Sequence, residues 1–178
     1  VSSNHKLKGT WAMVAFTYAM PAGIPGTVNR TAEATVVAEI LSPTSPPTQY
    51  GTAVVLDATT SLVRAPATAD LSAVVYGLYV RPYPTQSGQD PLGTSTPPTS
   101  GSANVLKRGY MSVLLRGATA VTQKGTPANV WTGAPAGGQI PGGITAVAPA
   151  AGSCVALPGA YFMGPADAGG FTEIAFNL

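Results

Sequence analysis

The side chains that carry most protein chemistry are scarce in this chain and stand apart from one another. There is one histidine, His5, and one cysteine, Cys154. Ser-His-Asp and Cys-His catalysis both need an imidazole held within hydrogen-bond reach of the nucleophile, and His5 sits near the terminus, where no local element would hold it. A lone cysteine rules out an internal disulfide framework and a multi-cysteine zinc site; Cys154 reads as a small buried hydrophobe. The seven carboxylates, Glu33, Glu39, Asp57, Asp70, Asp90, Asp167 and Glu173, are scattered singly, and no run resembles an oxygen-ligand loop. Glu33 with Glu173 is the pair that a glycosidase-like reading would use, but acid–base work also wants a cleft with polar and aromatic substrate contacts. Neither a GxGxxG, a GxSxG nor a Walker lysine pattern occurs. Gly137, Gly138, Gly142 and Gly143 read as turns, since no helix signal follows to make a phosphate cradle. Asn29-Arg30-Thr31 matches the glycosylation triplet, a short pattern frequent by chance. The expectation is a protein that performs no catalysis and holds neither cofactor nor metal.

Composition points the same way. The 178 residues fit one domain, large enough to bury a core without disulfides or metal. Only 9% are charged, against about a quarter in ordinary soluble domains. No run of about 18 uninterrupted apolar residues exists to span a membrane. Much of the surface must therefore be Thr, Ser, Gln, Gly and Pro, or be covered by another protein, and partial coverage by a partner fits the charge deficit better. Within residues 1–30 the charges are Lys6, Lys8 and Arg30, with no acid, while the remainder carries six bases and seven acids. The only adjacent basic pair, Lys107 and Arg108, lies in a strand-like run, so the basic patch interleaved with aromatics that nucleic acid needs is missing.

These side chains must be positioned by short extended elements. The 21 glycines and 17 prolines interrupt the chain so often that long helices are implausible. Between them lie strand-length runs rich in Val, Ile, Leu, Thr, Tyr and Phe: residues 34–40, 51–56, 61–64, 73–83, 104–108, 110–115, 128–132, 143–147, 153–157, 160–163 and 172–176. Met111, Val113 and Leu115 alternate onto one face; Ile174, Phe176 and Leu178 oppose Glu173 and Asn177. The pattern predicts an all-β antiparallel sandwich, jelly-roll-like fold or small barrel. Residues 41–50 and 82–101, rich in proline, are expected as loops, the second one either projecting onto a neighbouring subunit or disordered. Residues 1–30 place Trp11, Phe16, Tyr18 and Met20 among prolines and glycines, which predicts an extended N-terminal arm, a signal peptide being the weaker alternative. Residues 31–178 form the single β domain.

Three stretches carry a family resemblance. They are Ala73-Val-Val-Tyr-Gly-Leu-Tyr-Val-Arg-Pro-Tyr-Pro84 with the Thr96-Pro-Pro-Thr-Ser-Gly101 loop; Val105-Leu-Lys-Arg-Gly-Tyr-Met-Ser-Val113; and Ala160-Tyr-Phe-Met-Gly-Pro-Ala-Asp-Ala168 running to Glu173-Ile-Ala-Phe-Asn177. Arg30-Thr-Ala-Glu33 and Tyr50-Gly-Thr-Ala-Val54 fit the opening strands. Together they resemble the structural cement, or decoration, proteins of tailed phages over roughly residues 24–178, with residues 1–22 an extension of no recognised counterpart. The resemblance implies a virion protein on the outer surface of a capsid of the HK97 type. Its partner would be the major capsid protein, and itself as a homodimer in preference to a homotrimer. It would bridge neighbouring capsid subunits against the pressure of packaged DNA, with affinity raised by multivalency. The expected interface residues are Trp11, Phe16, Tyr18, Arg81, Tyr83, Arg108 and Tyr110. For Arg81 and Arg108 internal ion pairs with Asp90 or Glu33 are the competing role, and for Tyr83 and Tyr110 a place in the core or rim. A carbohydrate-binding β-module on the virion is the rival function, and a carboxylate glycosidase the more remote one.

Overall fold

The computed structural model describes residues 23–82, 96–117 and 123–178. Among them nine strands follow in order: β1 (Thr35–Ile40), β2 (Ala53–Leu56), β3 (Val63–Arg64), β4 (Val75–Val80), β5 (Ser102–Leu114), β6 (Pro127–Trp131), β7 (Ile144–Thr145), β8 (Cys154–Phe162) and β9 (Phe171–Phe176). Two 3-10 turns, Thr31–Glu33 and Ser72–Val74, are the helical elements of the described chain. The strands join one sheet in the order β3-β2-β4-β5-β9-β8-β6-β7, with β1 also on β5, and every paired neighbour is antiparallel. The sheet curls into a half-barrel, and its extremes approach each other where the Ala53 N–H donates to the Gly142 carbonyl at 2.7 Å. The expected all-β antiparallel class is what the chain adopts.

Curling gives the sheet an inner face, filled by Leu78, Leu106, Met111, Val130, Phe162 and Ile174 among others, all essentially without solvent exposure. Each such side chain contributes about 1.5–3 kcal/mol through burial. Around β2, β4 and the first half of β5 the outer face is covered as well, by a second cluster that includes Leu41, Tyr50, Val63 and Tyr79. Two-sided burial explains why Ala53-Val54-Val55 and Leu78-Tyr79-Val80 read as continuous apolar runs, whereas β9 alternates in burial from Phe171 to Ile174 before its end is buried on both faces.

Two of the strands run through residues that the sequence reads as breaks. The expected runs 104–108 and 110–115 fuse into the 13-residue β5 across Gly109, whose φ of +130° is open to glycine alone. A Cβ there would meet the Ala34 Cα at 3.1 Å. At this point β5 changes partners: Ser102 to Arg108 pair with β1, Asn104 to Leu106 also with β4, and Gly109 to Leu114 with β9. Likewise β8 crosses Pro158-Gly159: it pairs with β6 on both sides, through Cys154 to Ala156 and again at Tyr161 after a register shift, and with β9 through Ala160 to Phe162. At Gly109 the breaker marks a change of neighbours, and at Pro158-Gly159 a shift of register on β6 with β9 joining beyond it.

Residues 26–29 lie along the second half of β5. The Gly26 N–H donates to the Ser112 carbonyl, the Ser112 N–H to the Thr27 carbonyl and the Asn29 N–H to the Tyr110 carbonyl, while the Gly26 carbonyl accepts from the Arg81 N–H. Gly26, at φ +85°, has room for no side chain: a Cβ would stand 2.6 Å from that of Tyr50. This segment thus ties β5 to the end of β4 and the turn before β2.

Candidate functional site

The expected interface residues Trp11, Phe16, Tyr18 and Tyr83 lie outside the described residues, as do His5 and Asp90. The structure places Arg108 and Tyr110 on β5 and Arg81 just past β4. Tyr110, on β5, is half-buried beneath Arg30, whose guanidinium carbon stands 3.8 Å from the ring centroid. Arg30 also reaches Glu173 at 3.2 Å, and Asn29 donates to the other oxygen of that carboxylate at 2.9 Å. Glu173 is therefore engaged by a cation and an amide. Arg108 is exposed on β5 opposite Thr35, with no ion pair to Glu33. Arg81 follows β4 and has its guanidinium carbon 5.9 Å from the centroid of the Tyr50 ring, which itself packs on Tyr79 at 4.9 Å.

Arg81 shares a cavity with a residue that sequence reasoning missed. Arg116 stands just past β5, and between the two arginines opens a cavity of about 330 Å³ walled by Thr48, Gln49, Tyr50 and Leu114 as well. The Arg116 backbone is fixed on both sides: its N–H donates to the Ile144 carbonyl at 2.8 Å, and its carbonyl accepts from the buried Gln139 amide at 3.1 Å. Its guanidinium donates to the Gln49 side-chain oxygen. Burial pushes its pKa below the ordinary arginine value, with no neighbouring acid acting against that shift. No sequence signal marked Arg116, because its partner Gln49 lies 67 residues away.

A second surface feature is the free side of β1. This strand pairs with β5 alone, so its other edge has no strand partner among the described residues. Its exposed face shows Val36 and Ile40, 41% and 56% accessible, on either side of Ala38. Edge strands in free monomers usually carry a lysine, proline or bulge at the rim; β1 has a register shift between Thr35 and Val36, and no lysine or proline from Thr35 to Ile40. The acid of β1, Glu39, is instead turned to the other face, where it accepts from the Tyr76 hydroxyl and raises that phenol's pKa.

Among the described residues no three His, Cys, Asp or Glu side chains gather as a metal site. Cys154 is buried, its thiol pKa pushed up by desolvation, as an unreactive core thiol should be. What the described surface offers is an arginine-walled cavity, a cation–aromatic cluster and an open strand edge.

Comparison with known proteins gives the family and the fold. The family model for the XM1 gp53 minor capsid protein matches residues 13–176. The chain belongs to this family of minor capsid proteins. That membership makes it a capsid-associated structural protein of a phage virion. A solved structure described as the capsid of Myoviridae phage XM1 contains a chain of the same fold, with a TM-score of 0.66 at 19% identity, covering 92% of this chain and 95% of that one. No curated protein matches the chain. The family match includes Trp11's neighbours from Met13 onward, and so takes in Phe16 and Tyr18.

Proposed function

We propose that this minor capsid protein is a cement subunit, bound to the outer surface of an HK97-type head, where it bridges neighbouring major capsid subunits and resists the pressure of packaged DNA. The observation that carries this reading is the family match over residues 13–176, joined to a described surface that offers contacts and no assembled reagents. An arm of residues 1–30 supplies Trp11, Phe16 and Tyr18 as apolar anchors, and its last residues are rooted along β5 by the hydrogen bonds of Gly26, Thr27 and Asn29. Arg81, Tyr83, Arg108 and Tyr110 supply the domain's share. Because β1 presents an antiparallel edge that is complementary to itself about a two-fold axis, a homodimer is favoured over a trimer. Modest contacts made to two or more capsid chains at once then sum to stable occupancy. A carbohydrate-binding surface would want a row of exposed aromatics, whereas Tyr161 is the one exposed large aromatic among the described residues.

The test is sedimentation of purified protein with empty heads that lack it, followed by cryo-EM of the decorated heads. Saturable co-sedimentation, with density on the outside spanning adjacent capsid subunits, is the expected result. Protein that stays in the supernatant, or density lining the interior, overturns the proposal. Deleting residues 1–22 should lower occupancy; full occupancy without them removes the anchoring role of the arm.

A further inference from the structure

The described carboxylates are, with one exception, already engaged. Asp57 and Asp70 serve Arg64, Glu173 serves Arg30, Glu39 accepts from Tyr76, and Asp167 accepts from the backbone N–H groups of Gly169 and Phe171. Glu33 stands exposed on the first 3-10 turn. None of these six described carboxylates lines the cavity between Arg81 and Arg116. Arg116 is the unusual member of this set: a half-buried guanidinium whose side chain is met by a neutral amide oxygen and by no acid among the described residues. Removing a guanidinium from water without a counter-charge costs stability, and the fold nonetheless holds this one in place. Glycine at position 143 leaves space for its stem, since a Cβ there would come within 3.1 Å of the Arg116 Cγ. A site built in this manner has donors left over and a cavity in which to use them.

We infer that the cavity between Arg81 and Arg116 is a receptor for a carboxylate side chain, an Asp or Glu of the neighbouring capsid chain, gripped by the Arg116 fork. This rests on the capsid-binding reading and names the chemistry of its contact. A planar carboxylate matches the paired N–H groups of one guanidinium, and the partial dryness of the cavity strengthens the pair relative to an exposed one. The Tyr50 ring, itself wedged against Tyr79, provides a firm wall on the Arg81 side. The volume of about 330 Å³ admits a side chain and excludes a folded segment. Pro25 also lines the cavity, which sets the arginine site next to the segment of Gly26, Thr27 and Asn29 that is bonded along β5.

Two experiments on the full chain separate this inference from the reading beneath it. In the first, heads lacking the protein are titrated with wild type, Arg116→Gln and Arg116→Lys. Arg116→Gln should weaken binding about 10- to 100-fold, the scale of a lost charge-assisted hydrogen bond, and Arg116→Lys, which keeps charge and stem but not the fork, should lie between. Wild-type binding by Arg116→Gln overturns the inference while leaving capsid binding intact; failure of wild type to bind overturns the functional reading. In the second, the Arg116 side-chain N–H signals are followed by NMR during titration with glutarate, and with chloride at matched ionic strength. A saturable shift with glutarate alone is expected. Equal responses to both salts, or none, reject a carboxylate site whatever the heads do, and melting curves show whether each variant is folded.

Discussion

Arg64 and Arg116 stand at opposite extremes of how this chain treats a partly buried guanidinium. Arg64, on β3, is closed: two parallel bonds to Asp70 at 2.7 and 2.9 Å, a third contact to Asp57 at 3.6 Å and a bond to the Ala65 carbonyl leave little for any partner. Arg116, past the end of β5, has one neutral acceptor and an adjoining cavity. The difference teaches that this sequence, poor in acids, sets two of them against one guanidinium and, among the described residues, none against the other. The first corner serves folding; the second is the one for which the carboxylate of a capsid chain is proposed above.

The largest effect should come from breaking the closed corner. Asp70→Ala removes both parallel bonds and the acceptor of the Ala67 N–H. It should cost about 2 kcal/mol in urea unfolding, less than the full loss for a buried pair because both groups keep some water. Binding to heads should not change, and a change would mean that the corner belongs to the interface. The same corner gives a pH dependence. The hydrogen bond from Arg64 is the leading cause holding the Asp70 carboxyl below its ordinary range, and the Thr60 backbone N–H does the same for Asp57. A carboxyl depressed by folding contributes its stability above the unfolded value, about pH 4, and loses it as the pH falls through the lower folded value. Unfolding measured from pH 7 down to pH 2 should therefore show declining stability below about pH 4, with a shallower decline in Asp70→Asn; equal slopes would detach the corner from acid sensitivity.

A smaller effect would turn the open site into a copy of the closed one. Thr48, exposed on the cavity wall, replaced by Glu puts an acid beside Arg116. Thr48→Glu should add about 0.5 kcal/mol of stability while weakening head binding about tenfold by occupying the receptor from within. Unaltered binding would show that the cavity takes no part in attachment. Smallest is Arg30→Ala. The Arg30 side chain, 46% exposed, pairs with Glu173 in reach of solvent, so thermal unfolding should register less than about 1 kcal/mol.

The strands were readable because β-branched and aromatic runs stand between glycines and prolines, as in 35–40, 53–56 and 171–176. Where reading by breakers failed, it failed for one reason. Gly109 and Pro158-Gly159 interrupt a local pattern, but the hydrogen-bond partners that carry β5 and β8 across them come from β1, β4, β6 and β9, far away in sequence. The opposite happened at residues 72–74, where an apolar start to the expected strand is a 3-10 turn and β4 begins at Val75. Site residues divided along the same line. The scarcity of reagents is written in the composition, and Arg81 and Arg108 stood out as cations in strand-like runs. Arg116 did not, since its significance lies in what surrounds it, namely Gln49 from one distant part of the chain and Gln139 and Ile144 from another.

The shared strand β5 has a mechanical consequence. With β1 and β4 bonded to its first half and β9 to its second, a tensile load that draws the two ends of the subunit apart travels down one covalent backbone. The flanking hydrogen bonds are then loaded in shear, many at a time, and not unzipped singly. A small plate clamped to a swelling shell would in this way stretch little until it yields all at once.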